Sequence, residues 1–97
     1  MLLKKAKIKS LVKSAKDLNL SEKTIEDIFK KVEELPKNVP FNHVSVASAL
    51  IYIYSRINKE PRTQREVARV LNTSEVSIGK CTKWIINNFL NKNMVEK

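Results

Sequence analysis

Glycine, cysteine, histidine and tryptophan each occur once in these 97 residues, and proline three times. A single cysteine, Cys81, excludes an internal disulfide and any cysteine-based zinc site, and the lone His43 supplies no metal pair. One glycine is too few for a Gly-rich phosphate loop. Scarce Gly and Pro also leave few sharp turns, which disfavours an all-β fold and favours long helices with short connections. No nucleophile–base pair is visible, and Cys81 has no histidine in sequence reach, so a buried structural thiol is its default reading. The expectation is a non-enzymatic protein without metal or cofactor. Met-Leu-Leu followed by Lys offers no secretory apolar core. The longest apolar stretch, Val44 to Ile57, would span only about 21 Å as a helix, too short for a bilayer. An intracellular protein follows from these readings.

Ninety-seven residues suit one domain over 1–97 with one core. The chain is 42% hydrophobic and 30% charged, as a folded soluble domain is. Its net charge of +9 attracts phosphate polymers or anionic membranes. That charge is uneven. Residues 1–16 carry six Lys and no acid, residues 56–97 carry nine Lys/Arg against four acids, and residues 22–34 carry five acids against three Lys.

Five helices can be read. The first, over 3–18, has an apolar stripe of Ile8, Leu11, Val12, Ala15 and Leu18, with Lys5, Lys9, Lys13 and Lys16 on another face. Those lysines are either a solvated face or one turned to phosphate or lipid. Without aromatic anchors, the lipid reading is the weakest. The second helix, 22–35, is capped by Ser21, lined by Ile25, Ile28, Phe29, Val32 and Leu35, and ended by Pro36. Pro40 and Asn42 lead into the third, 43–57. Its apolar residues cover nearly the whole circumference, which predicts a helix buried on all sides. Thr63 caps a short fourth helix, 64–71, with Glu66 at the capping-box position. Asn72 supplies a left-handed turn. Ser74 caps the fifth, 75–90, whose inner face is Ile78, Thr82, Ile85 and Phe89 beside Cys81 and Trp84. Residues 91–97 read as a frayed tail.

Two helices joined by the turn 72–73 form a helix-turn-helix pattern over 63–90. Its second helix would offer Glu75, Val76, Gly79, Lys80 and Lys83 outward, with Ser77 at the edge and Ser74 at the start. Lys80 and Lys83 can meet guanine acceptors or phosphates, Val76 a thymine methyl, and Ser77 either a donor or an acceptor. Arg62, Arg65 and Arg69 recur at i, i+3 and i+7. Thr63 and Gln64 sit at a helix start, where an anion is favoured, and all five are candidate phosphate contacts. The competing reading of this basic face is plain solvation. Gly79 costs about 1 kcal/mol against Ala inside a helix. Close approach to DNA, close packing and drift are its three readings.

The segment Asn42-His43-Val44-Ser45-Val46-Ala47-Ser48-Ala49-Leu50-Ile51-Tyr52 resembles the central helix of the cyclin-like repeat in archaeal transcription factor B and eukaryotic transcription factor IIB. Arg62-Thr63-Gln64-Arg65-Glu66-Val67-Ala68 resembles that family's Arg-Thr-Gln-Lys-Glu-Ile-Ala helix start, and Glu75-Val76-Ser77-Ile78 its Glu-Val-Thr-Ile recognition-helix start. The resemblance implies an all-α, five-helix cyclin-like bundle around a buried central helix. It implies promoter DNA, TATA-binding protein and RNA polymerase as partners, a monomer, and a nucleoid or nuclear location according to whether the source is archaeal or eukaryotic. By position, Val76 falls on a base-contacting Val and Gly79 on a common DNA-contacting Arg; His43 replaces a first-turn Pro. The alternative function is a protein-interaction module of the transcription machinery without sequence-specific DNA binding, to which the lost Arg points. Whole family members carry a zinc ribbon and two repeats. The chain is therefore expected to be an excised second, C-terminal repeat or a divergent single-repeat relative.

Overall fold

The structure, a computed structural model, describes residues 4–90. The expected helix start at residue 3 and the tail 91–97 lie outside the described residues. Helix α1 covers Lys5–Ser14 and buries Ile8 and Val12. It has no side-chain cap of its own residue type; instead the backbone N–H of Lys4 donates to His43 Nε2 at 3.1 Å.

The continuous helix expected over 3–18 is not formed. The α-helix stops at Ser14, Ala15 turns away (ψ 49°), a single 3-10 turn occupies Lys16–Leu18, and Asn19 is left-handed at φ 50°. Packing and chain direction explain the break. Ala15 and Leu18 are both buried, and the next helix begins only four residues after Leu18 and runs back along α1. The left-handed residue makes that reversal, a conformation Asn tolerates better than most side chains.

Helix α2, Glu22–Glu34, starts where the Ser21 hydroxyl accepts from the Thr24 amide, and it buries Thr24, Ile28 and Val32. It ends ahead of Pro36, which disfavours the helical conformation in the residue before it. Helix α3, His43–Ile57, is capped by Asn42, whose Oδ1 accepts from the Ser45 amide at 2.8 Å. Ten of its residues are buried, and it packs against α1, α2, α4 and α5. This is the all-round burial that the apolar circumference predicts. Ala47, Ser48, Ala49 and Ser55 keep its neighbours close. The Ser48 hydroxyl donates to the Val44 carbonyl at 2.7 Å and the Ser55 hydroxyl to Tyr52 at 3.1 Å. These two buried hydroxyls thus find acceptors within the helix itself. Leu50, Ile51 and Ile53 have no exposed surface; burying each contributes about 1.5–3 kcal/mol.

Helix α4, Gln64–Leu71, and helix α5, Glu75–Asn88, complete the bundle. The fifth helix stops two residues short of the expected end. The amides of Phe89 and Leu90 both fold back to the Ile85 carbonyl, and Leu90 is buried. Among the described residues the protein is five α-helices and one 3-10 turn around one hydrophobic core, with no strand.

A polar seam ties the α3–α4 loop to the start of α2. The Glu60 carboxylate accepts from the Ser21 amide and hydroxyl and from the Thr24 hydroxyl. Asn58 Nδ2 donates to Thr24 Oγ1 and to Asp27 Oδ2 at 2.9 and 3.0 Å. Burial would push the Glu60 carboxyl up, but the donors from Ser21 and Thr24 outweigh it and hold the group below its ordinary range.

Candidate nucleic-acid interface

Local sequence dictates how α4 and α5 meet. The Thr63 hydroxyl accepts from the Glu66 amide at 3.0 Å, and the Glu66 carboxylate accepts from the Thr63 amide at 2.9 Å, a complete capping box. Val67, Ala68 and Leu71 face the core. Asn72 ends α4 at φ 56°, and the amides of Asn72 and Thr73 both donate to the Ala68 carbonyl. Ser74 then starts α5, accepting from the Ser77 amide at 3.1 Å while its hydroxyl donates to that of Ser77 at 2.9 Å. Ile78, Cys81, Thr82 and Ile85 point inward. Burial pushes the Cys81 thiol up to about 12, which removes it as a nucleophile.

The outward side of α5 is Val76, Gly79, Lys80 and Lys83, at the spacing i, i+3, i+4, i+7 of one helical face. Val76 is 65% exposed and is the one large hydrophobic side chain left exposed among the described residues. Lys80 and Lys83 are exposed beside it. On α4, Arg65 and Arg69 are exposed one turn apart. Arg65 makes only a loose contact with Glu75, Nε to Oε2 at 3.8 Å, between two exposed groups; such a pair contributes about 0–1 kcal/mol and exchanges readily for another anion. Ser77 is half-buried, and Thr63 and Ser74 are exposed caps whose hydroxyls are already engaged.

Arg62 departs from the expected row of phosphate-facing arginines. Its Nε donates to the Leu18 carbonyl at 2.7 Å, Nη1 to Glu60 at 2.6 Å and Nη2 to Asn19 at 3.1 Å. The side chain is half-buried and closes the 3-10 turn onto the α3–α4 loop. Leu18 and Asn19 lie 44 and 43 residues away along the chain, so nothing near Arg62 in the sequence could have flagged them. The anion site expected at the start of α4 is also partly filled. The Glu66 carboxylate sits there, held below its ordinary range by the Thr63 amide and hydroxyl. Close packing does not require Gly79: a Cβ there would meet only the Gln64 carboxamide, at an ordinary 3.9 Å.

The contacts of Glu60 and Asn58 with Ser21, Thr24 and Asp27 could not be read from the sequence; they hold the loop that leads into α4 against the start of α2. Among the described residues no group of His, Cys, Asp and Glu could hold a metal ion, and no helix is long and apolar enough to cross a membrane.

No curated protein and no solved structure shows significant similarity to the chain. The family model for the transcription factor TFIIB repeat matches residues 5–88, which takes in all five helices and both loops that position α4. The match and the all-helical architecture agree on a cyclin-like fold. With most of its length matched, the chain belongs to the TFIIB-repeat family, a family of transcription initiation factors.

Proposed function

We propose that this chain, as one cyclin-like domain, binds core-promoter double-stranded DNA in transcription initiation, acting with TATA-binding protein and RNA polymerase. Residues 63–90 then serve as its helix-turn-helix, with α5 in the major groove. The observation that carries this reading is the exposed Val76 on the first turn of a capped helix, with the exposed Lys80 and Lys83 on the same helical face. A lone apolar side chain there fits a thymine methyl, and Lys80, Lys83, Arg65 and Arg69 fit base edges and the phosphates on either side. A nucleoid or nuclear location follows from such work.

Arg62 is committed within the fold, which leaves four cations for the phosphates. Neutralising about four phosphates gives a slope of about −3.6 in log affinity against log salt. Fluorescence anisotropy with a labelled promoter duplex at several salt concentrations measures it. Absence of duplex binding at low salt sinks the reading.

The lack of a side chain at Gly79 favours a second reading, a protein-interaction module of the transcription machinery. Binding to TATA-binding protein that survives Lys80→Ala and Arg65→Ala, with no duplex binding, would establish that one instead.

A further inference from the structure

Gln64 is the first residue of α4 and lies half-buried against α5. Both ends of its carboxamide, Nε2 and Oε1, are 3.9 Å from the point a Cβ on Gly79 would occupy. Both polar atoms of the amide therefore face the glycine, which lies on the same face of α5 as Val76, Lys80 and Lys83. The hydrogen bonds around it, Thr63 with Glu66 and Ser74 with Ser77, do not use it. An uncharged donor–acceptor pair thus lies at the face of α5 that carries Val76, Lys80 and Lys83.

A carboxamide presents one acceptor and one donor side by side. In the major groove that pair matches adenine, which offers the N6 amino group and the N7 acceptor; guanine offers two acceptors and does not match. We infer that Gln64 reads one adenine in the bound duplex, Oε1 accepting from N6–H and Nε2 donating to N7, through the gap that Gly79 leaves on α5. The inference rests on the DNA-binding reading above and adds the base that it selects. Gly79 is then the residue that admits the Gln64 amide, and a large side chain at 79 would close the way.

Selection of bound duplexes by the full chain, followed by anisotropy with the selected site, tests this. One adenine should be fixed beside the positions covered by Val76. Gln64→Ala should bind that site about tenfold or more weakly, yet bind duplexes with another base there as the unsubstituted chain does. Gln64→Glu, which keeps the acceptor and lacks the donor, should lose the same preference. Replacing the adenine by 7-deazaadenine should weaken the unsubstituted chain and leave Gln64→Ala unchanged. Melting curves of both variants report folding separately. The inference is overturned if no adenine is fixed, if Gln64→Ala weakens all duplexes by one factor, or if the deaza base weakens both proteins alike. Salt-dependent duplex binding without the adenine preference overturns this inference alone; no duplex binding at low salt overturns the promoter reading and this one with it.

Discussion

The two basic regions of this chain use their charge in opposite ways. The lysines of α1 are largely turned to the protein itself. Lys5 Nζ donates to the Glu33 carbonyl at 2.5 Å, and Lys9 pairs with the Glu33 carboxylate. Lys9 and Lys13 lie 5.7 and 5.9 Å from the centre of the Phe29 ring. The Lys9 hydrogen bond holds the Glu33 carboxyl below its ordinary range. The acidic α2 therefore draws much of the α1 charge inward. On α4 and α5, Arg69, Lys80 and Lys83 make no ion pair among the described residues, and Arg65 makes only its loose one. A count of positive residues places both regions on the same footing. The structure separates charge that holds helices together from charge that is free to meet a partner.

Arg62 should break that comparison most sharply, because it sits between the two classes. Arg62→Ala leaves the carbonyls of Leu18, Asn19 and Glu60 without their charged donor and is expected to cost about 2–3 kcal/mol, a fall in Tm of about 10 °C or more. The salt slope of duplex binding should stay where it was. A slope lower in magnitude by about 0.9 with an unchanged Tm would return Arg62 to the DNA-contacting set.

Glu60 tests the same seam by pH. The Glu60 and Asp27 carboxyls are both held below their ordinary values of 4.5 and 3.8, the latter by hydrogen bonds from Lys23 and Asn58. The folded protein therefore binds fewer protons than the unfolded chain in this range. Their contribution to stability is fully present above the ordinary carboxylate values and is lost as pH falls through the lower folded ones. Melts from pH 7 to pH 3 should show Tm falling at the acid end, and Glu60→Gln should lower Tm at neutral pH while flattening that fall. An acid limb unchanged in the variant would assign the pH dependence to other groups.

Lys80→Ala and Arg69→Ala should each lower the magnitude of the salt slope by about 0.9 and keep stability within about 0.5 kcal/mol. Smallest of all, Lys9→Ala should cost under about 1 kcal/mol and leave duplex binding unmoved. A change in salt slope there would erase the distinction between the two regions.

The features legible in the sequence were those whose partners are close along the chain. The Thr63–Glu66 box, the Ser21 and Ser74 caps and the left-handed Asn72 each follow from residues at most four apart. The burial of α3 followed from its apolar circumference. The outward set Val76, Lys80 and Lys83 followed once Ile78 and Ile85 were turned inward. What could not be read depended on distant neighbours. The break at Ala15 carries no Gly or Pro; it is imposed by how α2 packs back on α1. Arg62 looked like a member of an arginine row because its spacing to Arg65 and Arg69 is helical, yet it precedes the helix, and two of its carbonyl partners, Leu18 and Asn19, are more than 40 residues away in the sequence.

Cys81 has no exposed surface and lies on α5 where that helix packs against α3. Burial keeps its thiol protonated, so a thiol-reactive dye finds neither access nor thiolate while the two helices are together. As the only sulfhydryl in the chain, it makes an internal clock without any engineering. The rate at which a dye enters reports how often the bundle opens, and its slowing in the presence of a duplex would measure how far bound DNA clamps the domain shut.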